Sequence, residues 1–392
     1  MIYLDNAAST QIRQEVLEVI NKELVNSFAN PSSPYSPARN SRIAVDNARK
    51  IFSKIMNCDD NEIIFTSGGT ESDNTAIKGP AYALKNIGNH IITTATEHHA
   101  VLHTCNNLEK QGFDITYLPT DKYGMVNKED VLSAIKENTI LVSVIYANNE
   151  LGSINPIQEI GEAIKNYKGK NSQFPLFHTD AVQAATYLDL NVDKLGVDLM
   201  SISAHKFNGP KGIGALYMKN GIPFEPLITG GGQERQKRSG TENIAFISGS
   251  AEAIRLAEEE KIKLNKMIMA LKNKITDHMI NKHKDILING HPTKSLPNII
   301  NLTIPDVRAD DLISALDLED ICISNGSACT SNSLEPSHVL KSIGMEANLA
   351  LNTIRISLGR NNTESEIIHF LNIIDKIIER IRKNKKEFIT NN

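Results

Sequence analysis

Five short apolar runs in this chain each end in a polar cluster able to bind an anion, form a bond or move a proton. "IIFTS" leads into "GGTESDN", "IITTA" into "TEHHA", "LVSVIYA" into "NNE", "FPLFHT" into "DAVQ" and "LMSIS" into "AHK". In "SGGTESDN", Gly68 and Gly69 let the backbone approach an anion, and the helix start that follows offers N–H groups and a positive dipole end. Thr70 adds a hydroxyl. The same residues also suit a plain turn with a helix cap. The Gly-Lys-Ser/Thr ending of a Walker loop is absent. Lys206 is either an exposed lysine or, if held at a buried strand end, an amine made nucleophilic by desolvation. Asp180 either caps a helix or faces that amine as an acid. His98 either stacks on a planar ring or sits at the surface. No cysteine or carboxylate set with metal-ligand spacing accompanies the His98–His99 pair, so the sequence offers no permanent metal site.

A lysine amine, a carboxylate and a helix N-terminus converging on one cleft form the arrangement that holds pyridoxal phosphate. Two further residues bear on such a site. Arg355 lies in "TIRISLG", where alternation sets Thr353, Arg355 and Ser357 on one face and Ile354, Ile356 and Leu358 on the other. That polar face is either solvated or carries a bidentate clamp for a carboxylate. Cys329 lies in "SNGSACTSNSLEP". Its small polar neighbours suit a mobile surface loop better than a core. The thiol is then either incidental or a nucleophile on an arm. Cys322, Cys105 and Cys58 sit in a strand, a helix-compatible run and near a helix end, and fit structural roles.

Positioning five clusters together requires a particular scaffold. From about 60 to 220, β-branched runs alternate with helical stretches such as "NTAIKGPAYALKN" and "NKEDVLSAIKEN". This is the pattern of an α/β domain with a mostly parallel sheet covered by helices. In such sheets ligands bind beyond the carboxyl ends of the strands. The five clusters all lie at those ends, so they predict one shared cleft. A proline-free stretch from about 242 to 284 reads as a long spine helix. After it, "ILING", "NIINLTI", "ICIS" and "TIRISLG" surround "ADDLISALD", the outline of a smaller α+β domain. The last amphipathic helix ends in basic residues, which suit a helix C-terminus.

The chain has 392 residues, 40% hydrophobic and 22% charged, with a net charge of −4. That is ordinary for a globular protein of two or three domains. The charge gives no case for nucleic-acid or membrane binding. The start, "MIYLDNAAST", lacks a signal peptide's basic and apolar regions. Four cysteines are too few for a disulfide framework. The expected location is the cytoplasm.

With these residues on the page, the chain resembles the cysteine desulfurases of the NifS/IscS branch, fold-type I pyridoxal phosphate enzymes related to class V aminotransferases. The resemblance runs from "YLDNAAST" to "RISLGR" and rests on "FTSGGTESDN", "TEHHAV", "NNELG", "SAHKFNGPKGIGALY", "RSGTEN" and "SNGSACTSNSLEPSHVL". It implies a large domain (14–258) with a seven-stranded sheet, and a small α+β domain (1–13 and 259–392) carrying the Cys329 loop. It further implies a homodimer with the active site near the subunit interface. Lys206 would hold pyridoxal 5'-phosphate covalently, His98 would stack on its ring, Asp180 would pair with the ring nitrogen, and Gln183 would meet the phenolic oxygen. Gly69, Thr70, Ser203 and His205 would bind the phosphate, and Thr241 would reach the phosphate of the other subunit. Asn149 and Arg355 would hold the carboxylate of L-cysteine, Asn149 also touching the cofactor, with Asn6 nearby. Cys329 would carry the sulfur as a persulfide to a protein acceptor, in iron–sulfur assembly or transfer RNA thiolation, and could ligate an iron–sulfur cluster transiently. The rival readings are a selenocysteine lyase or a transaminase of the same fold, the Cys329 loop arguing against the latter, and a silent sulfur-relay scaffold, against which the intact Lys206, Asp180, His98 and Cys329 count. Tyr35, Ala38 and Gln233 depart from the usual motifs "NPSS" followed by His and Gly, and "GGGHER".

Overall fold

The computed structural model describes residues 1–171, 173–325 and 336–390. A short strand β1 (Ile2–Tyr3) is followed by helices α1 (Gln14–Asn26) and α2 (Ser36–Met56). Then come β2 (Ile63–Thr66), α3 (Gly69–Ala83), β3 (His90–Thr94), α4 (His99–Glu109), β4 (Asp114–Leu118), α5 (Lys128–Ser133) and β5 (Thr139–Ser143). The alternation continues through α6 (Ile157–Asn171), β6 (Leu176–Asp180), α7 (Val192–Leu195), β7 (Leu199–Ser203) and β8 (Gly214–Met218). Helix α8 (Ile244–Lys282) leads to β9 (Leu287–Asn289), β10 (Ile299–Thr303), α9 (Ala309–Asp317) and β11 (Ile321–Cys322). The chain closes with α10 (His338–Ser342), α11 (Ala347–Ala350), β12 (Thr353–Ser357) and α12 (Glu364–Thr390).

Seven strands form one sheet in the order β2-β8-β7-β6-β5-β3-β4. All pairs are parallel except those made by β8, which runs against both β7 and β2. Strands β2, β3, β5, β6, β7 and β8 are buried at every position. Both faces are covered, which is why these strands read as continuous apolar runs. One face packs on α1, α2 and the first half of α8, with Phe52, Met56, Phe177, Met200 and Phe207 at its centre. The other packs on α3 and α4 through Ile77, Leu84, Val101 and Leu108.

Beyond this sheet the core is separate. Leu264, Ile268, Ile275 and Met279 of α8 pack with β10, β12 and α12 and with Leu4 and Ala7 of the N-terminus. Strands β12-β10-β9 form an antiparallel sheet. "ICIS", expected as a strand, is shorter than its pattern suggests. β11 has two residues and pairs in parallel with β1, and only a bridge from Ser324 to Arg355 links it to β12. "NKEDVLSAIKEN" likewise yields a helix of only six residues. Among the described residues, no helix is long and apolar enough to cross a membrane.

Candidate active site

The five strand ends open into a single cavity of about 280 Å³. Gly69 and Thr70 come from the start of α3, His98 from the start of α4, and Asn149 from the turn after β5. Asp180 ends β6 and Gln183 follows it, and Ser203, His205 and Lys206 end and follow β7. Arg355 enters from β12, so the small sheet completes the wall.

The anion end is built from backbone. Helix α3 begins at Gly69 with no side-chain cap, and Gly68 has φ of +153°. A Cβ at Gly69 would lie 2.9 Å from Val182 Cγ2. Glycine therefore keeps the first turn of α3 close to the loop after β6, with its N–H groups toward the cavity. Ser203 is buried beside it, and His205 Nδ1 lies 3.2 Å from Ser9 Oγ. Burial, with Lys206 and Lys211 nearby, lowers the His205 pKa to about 4, so the ring is neutral at neutral pH.

Lys206 Nζ donates to the carbonyls of Ala7 (2.5 Å) and Ala8 (2.7 Å). The Gln183 side-chain amide donates to Ala7 as well, at 2.9 Å. The N-terminal segment thus forms part of the site through its backbone. Asp180 is 4% exposed and accepts from the Val182 N–H at 2.9 Å. Burial raises its pKa, opposed by that hydrogen bond and by Lys206. His98 caps α4, its Nδ1 accepting from Ala100 N–H at 3.1 Å. Burial first, then the charge of Lys206, lowers its pKa to about 4. A neutral imidazole there can accept a proton.

Arg355 is 2% exposed, so the expectation of a solvated face gives way to a buried guanidinium. Nη1 donates to the Asn149 carbonyl and Nη2 to Asp5 Oδ1, both at 2.9 Å. These bonds fix the plane of the fork against the cavity. Asn6 is absent from the lining, and its amide is tied to the Ser357 carbonyl at 3.0 Å. Thr241 is exposed and also lies outside this cavity. Gln233 accepts from the Gly240 N–H at 2.8 Å, which binds together the loop that carries Thr241. Tyr35 precedes α2, and Ala38 is fully buried in it. Cys329 lies outside the described residues. Burial pushes the Cys58 and Cys105 thiols up to about 12, in keeping with structural roles.

Several lining residues were not singled out from the sequence. Asp73, Glu150, His99 and His338 all face the cavity. Asp73 lies four residues past Gly69, one helical turn along α3, and that spacing was the available signal. His338 follows the Cys329 segment, and its Nε2 bonds the Glu97 carbonyl at 2.9 Å.

Comparisons with known proteins show the family of the chain. Residues 2–370 match the family model described as "Aminotransferase class-V". A "Cysteine desulfurase IscS" of Methanosarcina thermophila is 45% identical over 97% of this chain and 93% of its own length. One from Clostridium botulinum is 48% identical over 97% and 95%. Among solved structures, a "NifS-like protein" superposes with a TM-score of 0.90 at 36% identity, covering 96% of this chain and 99% of that one. "SspA in complex with cysteine" superposes with a TM-score of 0.80 at 36% identity, covering 91% and 99%.

Proposed function

We infer the chemistry of the cavity from a plain premise: the chain belongs to the class-V aminotransferase family and is a pyridoxal-phosphate-dependent cysteine desulfurase. The residues present fit that cofactor. The glycine-led start of α3 with Ser203 and His205 offers a phosphate cradle that a side chain at position 69 would fill. Asp180 offers a buried carboxylate for the ring nitrogen, and Lys206 an amine for the aldehyde. His98 offers a ring face and Gln183 an amide for the phenolic oxygen. When bound, pyridoxal phosphate acts as an electron sink that loosens the bonds at the α- and β-carbons of an attached amino acid.

The chain's own residues supply the rest. Arg355, its fork already oriented by Asn149 and Asp5, takes the carboxylate of L-cysteine. Asn149 assists it, with Asn6 beside the same wall. Lys206 Nζ would take the α-proton as general base. His98, neutral at working pH, takes the substrate thiol proton. The Cys329 thiolate attacks the substrate sulfur: the S–S bond forms as the Cβ–S bond breaks, the electron pair stays with the substrate carbon, which takes up a proton, and a Cys329 persulfide and L-alanine remain. That persulfide then passes to a protein acceptor, for iron–sulfur assembly or thiolation. The enzyme works as a homodimer, Thr241 of one protomer reaching the phosphate of the other.

The observation that carries this reading is the convergence on one cavity of Lys206, Asp180, His98, the α3 cradle and Arg355. Purified protein loaded with pyridoxal phosphate should release alanine from L-cysteine, and Lys206→Ala should release none. Alanine formation undiminished in Lys206→Ala would overturn the assignment of that amine.

A further inference from the structure

The reading above leaves two acids of the cavity unused, Glu150, which accepts from the Ser337 hydroxyl at 2.6 Å, and Asp73. Asp73 on α3 is 1% exposed and lines the same cavity as Asp180. One carboxylate oxygen of each, with a ring nitrogen of His98, lie within 4.8 Å of one another. Asp73 Oδ1 has no hydrogen-bond partner among the described residues. Its surroundings offer little positive charge. From β6 comes Asp180 itself, together with His178, whose Nε2 is 3.7 Å from Asp73 Oδ1. His178 is held between Ser143 Oγ (2.8 Å) and Ser201 Oγ (3.0 Å), and burial lowers its pKa to about 3, so it is neutral. From the turn before α4 come His98, also neutral, and Glu97, whose pKa burial raises to about 8. Lys206, after β7, exerts its charge on Asp180.

Two like charges this close and this buried repel strongly, and one of such a pair keeps its proton. Asp180 has the better support for an anion: a backbone N–H donor and the charge of Lys206. Asp73 has neither, and burial with the Asp180 charge raises its pKa well above the usual range, the neighbouring Ser201 hydroxyl opposing.

We propose that Asp73 is a positioning residue that stays a neutral carboxylic acid at neutral pH, so that the Asp73–Asp180 pair presents a single negative charge, on Asp180, to the ring nitrogen of the cofactor. This rests on the assignment of Asp180 above. Asp73 acts through Asp180. It fills the space beside that carboxylate with a proton donor and adds no second charge.

Infrared difference spectroscopy of the loaded enzyme tests this directly. The protein is made by cell-free synthesis with aspartate carrying heavy carbon at its side-chain carboxyl, so that Glu97 does not contribute. Visible absorbance shows cofactor loading separately, and its failure would count against the cofactor reading alone. The expected result is an isotope-shifted protonated-carboxyl band that persists at and above neutral pH and disappears in Asp73→Asn. The absence of any such band in the wild-type enzyme at neutral pH overturns the proposal without recourse to a variant. A band that survives Asp73→Asn also overturns it, because the proton then sits on another aspartate.

Discussion

Arg355 and His178 show how burial converts an ordinary side chain into a device with a measurable signature. The Arg355 guanidinium is fixed by two charge-assisted or carbonyl bonds before any substrate arrives. A lysine there keeps the charge but loses the planar fork. Loss of one bond to a charged group costs roughly 1.5–3 kcal/mol, about a tenfold to hundredfold effect. Arg355→Lys should therefore raise KM for cysteine at least about tenfold while the visible spectrum of the bound cofactor is retained. Steady-state kinetics beside an absorbance scan checks both halves. His178 makes a pH prediction. Its pKa is about 3 in the folded protein against 6.5 for the free side chain. Above 6.5 neither state binds the proton, and His178 adds no pH dependence. As pH falls from 6.5 toward 3 the unfolded chain binds it first, so folding is progressively disfavoured. In His178→Asn this part of the acid loss vanishes. The difference in Tm between neutral and mildly acid buffer should be smaller than in the wild type, even though the variant starts lower for want of its serine bonds.

At the scale of elements, the site is a property of where strands end. The five polar clusters were legible in the sequence because each follows a short, largely apolar run, the pattern of a strand covered on both faces. The polar ends therefore mark the carboxyl edge, and that edge is where Lys206, Asp180, His98 and Ser203 meet. Three kinds of contribution were legible only in part or not at all. Asp73 sits within a helix, where a carboxylate ordinarily faces water, and only the packing of α3 over β6 and β7 turns it inward. Ala7 and Ala8 contribute carbonyls, which leave no trace in side-chain types. Arg355 belongs to a strand whose alternation alone left its face undecided, and the cover comes from the distant turn after β5. Element packing also makes a stability prediction. A Cβ at Gly161 on α6 would lie 2.1 Å from the Leu195 carbonyl oxygen at the end of α7. Backbone cannot yield as a flexible side chain can, so Gly161→Ala should cost ~1–3 kcal/mol by overpacking. Chemical denaturation should show the loss, while alanine production per folded molecule at low temperature stays near wild type.

For the whole molecule, α8 is the join. Its first half, through Ala257, packs on the seven-stranded sheet, and from Leu264 onward it packs on the small sheet and α12. The change of partner falls between Ala257 and Leu264. The active site draws on both cores, since Arg355 and Ala7 belong to the second core's surroundings and Lys206 to the first. Dimerisation makes a further prediction. If Thr241 serves the partner's phosphate, heterodimers of Lys206→Ala and Thr241→Ala protomers contain one site with both defects and one with neither. Mixing the two variants under exchange conditions should recover activity that neither has alone. Recovery confined to the sum of the separate activities would argue for self-contained sites.

The central claim is that Lys206 and Cys329, distant in sequence, act on one substrate. Single-turnover mass spectrometry of the loaded enzyme with L-cysteine measures this most directly. The account predicts one added sulfur atom on the peptide containing Cys329, alanine in equal amount, and neither product in Lys206→Ala. Alanine released in full while the Cys329 peptide keeps its original mass would contradict it.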